Sequence, residues 1–360
     1  MIVRTPLGGE LSRRNFLLGS SAAAALAALA ACGGGSSSGS GSGGGSKGLG
    51  VLTVQLNWLH DVEFGGDYLA QDRKYAQDAG FSGMEITPGG PSISAEPAVV
   101  SGQALLGYSG PDLVAQANTQ GADLRIIGAT LKRNPYIVMS PATKPLMTPA
   151  DLVGKKIAVD TQNDVGFAAF LRANGIDPAD VTTVPGNFDP TLLSSGQVDG
   201  YHAYANSEPI TLAQSGFDTH QLALEDFKYP SIGDVYIATA SMIKDEPEKL
   251  KAALRAVLRG WQDFVTRNSD AVPLTIAAAG SGSTATAEFW QAEADVTREY
   301  LLADAEADGG LLLVPPAQQA EVIASLGLGG ITATEKDLFD MSLLTQVLQE
   351  TGMSAVPTPA

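Results

Sequence analysis

Between residues 53 and 239 short β-rich runs alternate with stretches of helical periodicity, and this alternation restricts the chain to α/β units built on largely parallel sheets. Strands are expected at 53–58, 84–87, 104–108, 123–131, 136–140, 156–160, 181–184, 198–204 and 235–239. Helical patterns fall between them: at 66–77, closed by Gly80, at 94–101, from Asp112 onward, and at 165–173 with Asp164 as N-cap and Gly175 as stop. Beyond Pro247 the residues Leu250, Leu254, Val257, Leu258, Trp261, Phe264 and Val265 mark one apolar helical face. No internal repeat is visible.

The first 31 residues have a different character. Arg13 and Arg14 precede an alanine-rich apolar run too short and too polar to span a membrane, the layout of an export signal. Ser12-Arg13-Arg14-Asn15-Phe16-Leu17 resembles a twin-arginine signal. Leu29-Ala30-Ala31-Cys32 resembles a bacterial lipobox, which implies a lipid on Cys32 and a mature chain that begins there. Residues 33–48 are almost purely Gly and Ser, a composition that cannot offset its ordering entropy and reads as a tether. Gly39, Gly41 and Gly44 fit a dinucleotide fingerprint, but no strand precedes them and no helix follows, so the match carries no chemistry.

What remains, about 310 residues, is enough for two domains of ordinary size. The formal charge of the whole chain is −17, and removing Arg4, Glu10, Arg13 and Arg14 with the leader takes away a net +2, leaving −19. Such an acidic surface disfavours nucleic acid and anionic membranes as partners. With Cys32 lipidated there is no cysteine for a disulfide, a nucleophile or a metal site. His60, His202 and His220 are scattered without metal-ligand spacing, and neither a P-loop nor a Ser/His/Asp set with recognisable context is present. The expectation is a binding protein, with no catalytic residue, metal or cofactor.

Four motifs recur in a familiar order: Gln55-Leu56-Asn57-Trp58, Pro88-Gly89-Gly90-Pro91, Gly107-Tyr108-Ser109-Gly110 and Gly196-Gln197-Val198-Asp199-Gly200. With the runs 151–157 and 258–261 they resemble the NMT1/THI5-like, thiamine-precursor branch of ABC-transporter substrate-binding proteins, over residues 52–268. The resemblance implies a type II periplasmic-binding fold: two α/β lobes, a ligand cleft between them, and two crossing strands as hinge. It places lobe one at 49–140 plus 241–360 and lobe two at 141–240, with crossings near 139–143 and 238–242. Closure of the lobes on ligand would present the loaded form to a permease.

Candidate ligand contacts lie at strand ends and the turns after them. Asn57, Trp58, Asp61, Glu63 and Phe64 follow the first strand, and an aromatic beside carboxylates suits a flat ring bearing N–H groups. Ser109 and Gly110 occupy the turn that the resemblance assigns to the ligand, and Asn134 precedes the first crossing. In the second lobe Gln162, Asn163 and Asp164 lie between a strand and a helix, and Phe188 follows the next strand. Tyr204, Asn206 and Glu208 carry over from the family's aromatic, asparagine and glutamate stretch. The acid at Asp164, where an anion carrier would place hydroxyls, glycines and a base, argues against a strongly anionic ligand.

These residues suit a neutral or cationic heteroaromatic compound, an aminopyrimidine thiamine precursor or a flavin-like ring. Riboflavin, sulfonate and nitrate carriers are the alternatives, followed by a ligand sensor for a membrane receptor and, last, a pyrimidine-synthesis enzyme. The expected setting is a monomer, lipid-anchored outside the cytoplasmic membrane, serving an ABC permease and its ATPase.

Overall fold

A computed structural model describes residues 48–160 and 163–359. The leader, Cys32, the tether up to residue 47 and Gln162 lie outside the described residues. Ten strands form two five-stranded sheets. The first contains β1 (Val51–Gln55), β2 (Gly83–Thr87), β3 (Leu106–Ser109), β4 (Leu124–Leu131) and β10 (Gly233–Thr239), in the order β2-β1-β3-β10-β4. The second contains β5 (Tyr136–Pro141), β6 (Lys156–Val159), β7 (Thr182–Pro185), β8 (Gly200–Tyr204) and β9 (Thr219–Ala223), in the order β7-β6-β8-β5-β9. In each sheet four strands run one way and one crossing strand runs against its two neighbours: β10 against β3 and β4, β5 against β8 and β9. The same topology in both lobes puts the ends of the parallel strands face to face across a cleft.

The crossings fall earlier than expected. β5 already belongs to the second sheet and β10 to the first, so the chain passes over at 132–135 and returns at 224–232. Residues 136–140 therefore sit in lobe two and 233–240 in lobe one, which corrects the expected boundaries. The two links are tied side by side: Asn134 Nδ2 donates to Tyr229 O at 2.8 Å, and its Oδ1 accepts from Tyr136 N at 3.0 Å. A Cβ on Gly233 would stand 2.7 Å from Pro135 Cγ, so the links approach only because that position is glycine.

Most of the motifs that carry the family resemblance build this frame. Gln55 Nε2 donates to Thr87 O and Pro88 O, tying the end of β1 to the following loop, and Gly89 lies against Leu56 O, 2.4 Å from where its Cβ would be. Asp199 Oδ2 accepts from Lys156 N at 2.9 Å and registers β8 beside β6. Thr148 and Asp151 form a capping box ahead of β6. Leu250, Leu254, Val257, Leu258, Trp261, Phe264 and Val265 all face the first lobe's core from the helix Pro247–Thr266. That helix crosses Gly65–Asp72 at Gly66 and Gly260.

Candidate functional site

Four segments meet between the lobes. After β1, Asp61 Oδ1 accepts from Glu63 N at 3.0 Å and starts the single turn Val62–Phe64, which carries Glu63 into contact with Asp234 and Asn206. Asp234 stands at the start of β10 with φ 47°, a left-handed conformation unusual for a residue with a side chain, and its Oδ1 accepts from Asn57 Nδ2 at 2.9 Å. From lobe two come Tyr204, Asn206 and Glu208, with Glu208 Oε2 accepting from Tyr204 N at 2.9 Å. The helix Ala287–Leu302 adds Glu293, in contact with Asp61, and Thr297, whose Oγ1 accepts from Asn206 Nδ2 at 3.3 Å.

Two aromatic contacts line the same space. Trp58 of the first lobe meets Phe188 of the second with centroids 4.7 Å apart. Asn187 and Phe188 are both left-handed, and Phe188 N donates to Asp160 Oδ1 at 2.9 Å, which holds this strained loop in place. Deeper in, Tyr136 stacks on His202 at 4.8 Å and meets Tyr204 edge-on at 4.8 Å. Tyr136, His202 and Tyr204 border a cavity of about 50 Å³ shared with Gly110, Asp112, Asn163 and Tyr229.

The carboxyls are held far from their ordinary state. Burial pushes Asp61 and Glu208 up to about 7 and Asp234 up to about 6. Burial, then the charges of Asp234 and Asp61, hold Glu63 well above the usual range, and burial with Asp61 and Glu63 does the same to Glu293. Every ion pair among the described residues uses other acids. Asn57 Oδ1, Asn206 Oδ1, Asp234 Oδ2 and Glu293 Oε2 receive no N–H or hydroxyl donor. Burial lowers His202 to about 3, so its ring is neutral.

This electrostatics has a consequence for the unliganded protein. Each raised carboxyl binds its proton more tightly in the folded chain than in the unfolded one, where carboxyls titrate near pH 4. Their contribution to stability is therefore full below about pH 4 and is lost as the pH rises to about 7. A melting temperature several degrees higher at about pH 5 than at about pH 7.5 is expected by calorimetry. A value that stays level or rises with pH would contradict the placement of these groups.

Residues 61–271 match the family model described as NMT1/THI5 like. The chain belongs to the NMT1/THI5-like family. Residues 10–30 of this family member match the twin-arginine translocation signal, which marks the chain for export. No curated protein matches its sequence. Its fold is that of SsuA-type ABC substrate-binding proteins, the type II periplasmic-binding fold. The aliphatic sulphonate binding protein SsuA from Escherichia coli superposes with TM-score 0.62 at 16% identity, over 81% of this chain and 91% of that one. The nitrate-binding protein NrtA from Synechocystis gives 0.59 at 13% identity, over 85% and 92%. The desulfurization enzyme DszB, in complex with a biphenyl sulfinic acid, gives 0.56 at 12% identity, over 84% and 99%.

In this NMT1/THI5-like protein the cleft brings together Asn57, Trp58, Asp61, Glu63, Phe188, Tyr204, Asn206 and Glu208, while Gly110 and Asn163 border the deeper cavity. Four expected contacts are elsewhere. Phe64 is fully buried in the first core, edge-on to Tyr108 at 4.9 Å. Ser109 spends its hydroxyl on the buried Glu96, and Asn134 spends its amide on the hinge. Asp164 is exposed and is the first residue of the helix Asp164–Ala173 instead of its cap, so the case against an anion moves to the cleft acids.

Asp234, Glu293, Thr297 and Tyr136 were not anticipated. Glu293 and Thr297 had a signal: they fall on the inward stripe Trp290, Glu293, Ala294, Thr297, Leu301, where a carboxylate is out of place. Nothing in the local sequence distinguishes Asp234.

Proposed function

We propose that this protein is an extracytoplasmic solute-binding lipoprotein of an ABC importer, anchored through Cys32, that captures a small heteroaromatic ligand such as a thiamine pyrimidine precursor. The observation that carries this reading is the convergence of Asn57, Glu63, Asn206, Asp234 and Glu293 from both lobes, with acceptor atoms left unpaired. A ring bearing amino or ring N–H groups would satisfy them, with Trp58 as its stacking partner. Binding would hold the lobes together about the crossings at 132–135 and 224–232, and the loaded form would be read by the permease.

Sulfonate and nitrate carriage, which the printed names of two structural neighbours describe, fits this cleft poorly. An anion would enter among five carboxyls with no Lys or Arg paired to them. An enzymatic role is a weaker reading, because the fold neighbour that is an enzyme shares only the fold and the single cysteine here is Cys32.

The test is a thermal-shift panel of aminopyrimidines, thiamine, riboflavin, taurine and nitrate on residues 47–360, which form one compact unit. A saturable rise with an aminopyrimidine, reduced about tenfold in affinity by Trp58→Ala, is expected. A response to taurine or nitrate alone would reject the proposed ligand class.

A further inference from the structure

Resting on the cleft reading above, we propose that the occupant is an organic cation, a small compound with at least one protonated nitrogen, and that Glu293 is the residue that reads its charge. The carboxyls come in two touching pairs, Asp61 with Glu293 and Glu63 with Asp234. Two carboxyls in contact are stable only with a proton or a cation between them. No Lys, Arg or His among the described residues is paired with these carboxyls: every ion pair there is made by other acids.

A second, independent observation concerns an amide. Asn206 lies beside Glu63 and is 1% exposed, its Nδ2 donates to Thr297 Oγ1, and its Oδ1 is left without a donor. An unpaired carbonyl oxygen beside unpaired carboxylate oxygens at Asp234 and Glu293, which are 2% and 1% exposed, calls for a ligand rich in N–H groups. A bare metal ion is a poor fit, because no three His, Cys, Asp or Glu among the described residues are grouped to ligate one. The aromatic faces of Trp58 and Tyr204 favour a cation with an organic body.

Glu293 is singled out because it comes from neither parallel-strand end. It sits on the helix Ala287–Leu302, which packs against both the turn Val62–Phe64 and the lobe-two helix Glu208–Gln214, so its carboxyl is sealed in when the lobes meet. A cation that enters displaces the bridging protons, and binding is accompanied by proton release.

Calorimetric titration of a matched pair tests this: an aminopyrimidine with an aminomethyl arm, protonated at neutral pH, and the same ring with a neutral hydroxymethyl arm. We expect the charged form to bind at least about tenfold tighter, with a buffer-dependent heat that reports proton release. Glu293→Gln, which keeps shape and removes charge, should bring the ratio to about one by weakening the charged form at least about tenfold more than the neutral form; Asp234→Asn provides the same readout if the first variant fails to fold. Equal binding of both forms by the native protein, or an equal loss for both in Glu293→Gln, would overturn the charge assignment and leave the binding-protein reading in place. Binding of neither form would overturn both.

Discussion

Gly66→Val is expected to leave no cooperatively folded protein under conditions where the native chain is stable. At Gly66 even a Cβ would stand 2.2 Å from Trp261 Cδ2, and at Gly260, on the facing helix, a Cβ would stand 2.0 Å from Gly66 O. Trp261 cannot retreat: it is fully buried, its Nε1 donates to Tyr236 OH at 2.8 Å, and Phe264 packs against it at 5.1 Å. Tyr236 in turn shares Asp67 with Tyr108 at 2.8 and 2.5 Å, so a displaced Trp261 disturbs a buried polar network. Overpacking costs about 1 to 3 kcal/mol where neighbours can shift, and more where backbone opposes backbone. Urea unfolding measures this, with Gly83→Ala as control, since nothing lies within 4 Å of a Cβ there. A Gly66→Val midpoint equal to the native one would show that the two helices do not cross as described.

The second large effect trades function for stability. Asp61→Asn together with Glu63→Gln removes two buried carboxyls whose ionised forms no ion pair among the described residues offsets. The unliganded double variant should melt higher than the native protein at about pH 7.5, by several degrees, and the difference should shrink at about pH 5, where the native carboxyls are protonated. The same change should weaken binding of a cationic aminopyrimidine by about a hundredfold, through loss of charge-assisted hydrogen bonds. A variant that is less stable at both pH values would indicate that these acids support the fold.

How much of this was visible in the chain depends on what kind of contact each residue makes. Strands such as β3 and β6 announce themselves as apolar runs because both faces of a central strand are buried. Strand β9 does not: of Thr219–Ala223 only Leu222 is buried, as befits an edge strand. The hinge positions were misplaced because β4 and β5 are separated by four residues, 132–135, and membership of one sheet or the other is a tertiary fact with no local mark.

The candidate site divides in the same way. Asn57, Trp58, Asp61, Glu63, Asn206 and Glu208 sit in turns next to strands, where a polar cluster beside an aromatic stands out. Ser109 and Asn134 occupy similar turns but are consumed by Glu96 and by the hinge backbone, which only the packing reveals. Gly110 and Asn163 border a deeper cavity that Tyr136, Tyr204 and His202 shape from lobe two. Glu293 arrives from a helix more than two hundred residues downstream of Asp61, and its role is defined only by what it touches.

Hydrogen exchange with and without a saturating aminopyrimidine is the most direct test of the account. Protection is predicted at residues 57–64, 204–208 and 287–302 and at the start of β10 around Asp234, with the outer helix Tyr75–Asp78 unchanged. Protection elsewhere in the molecule, with those segments exchanging as before, would place the ligand outside the acidic cleft and contradict its assignment as the binding site.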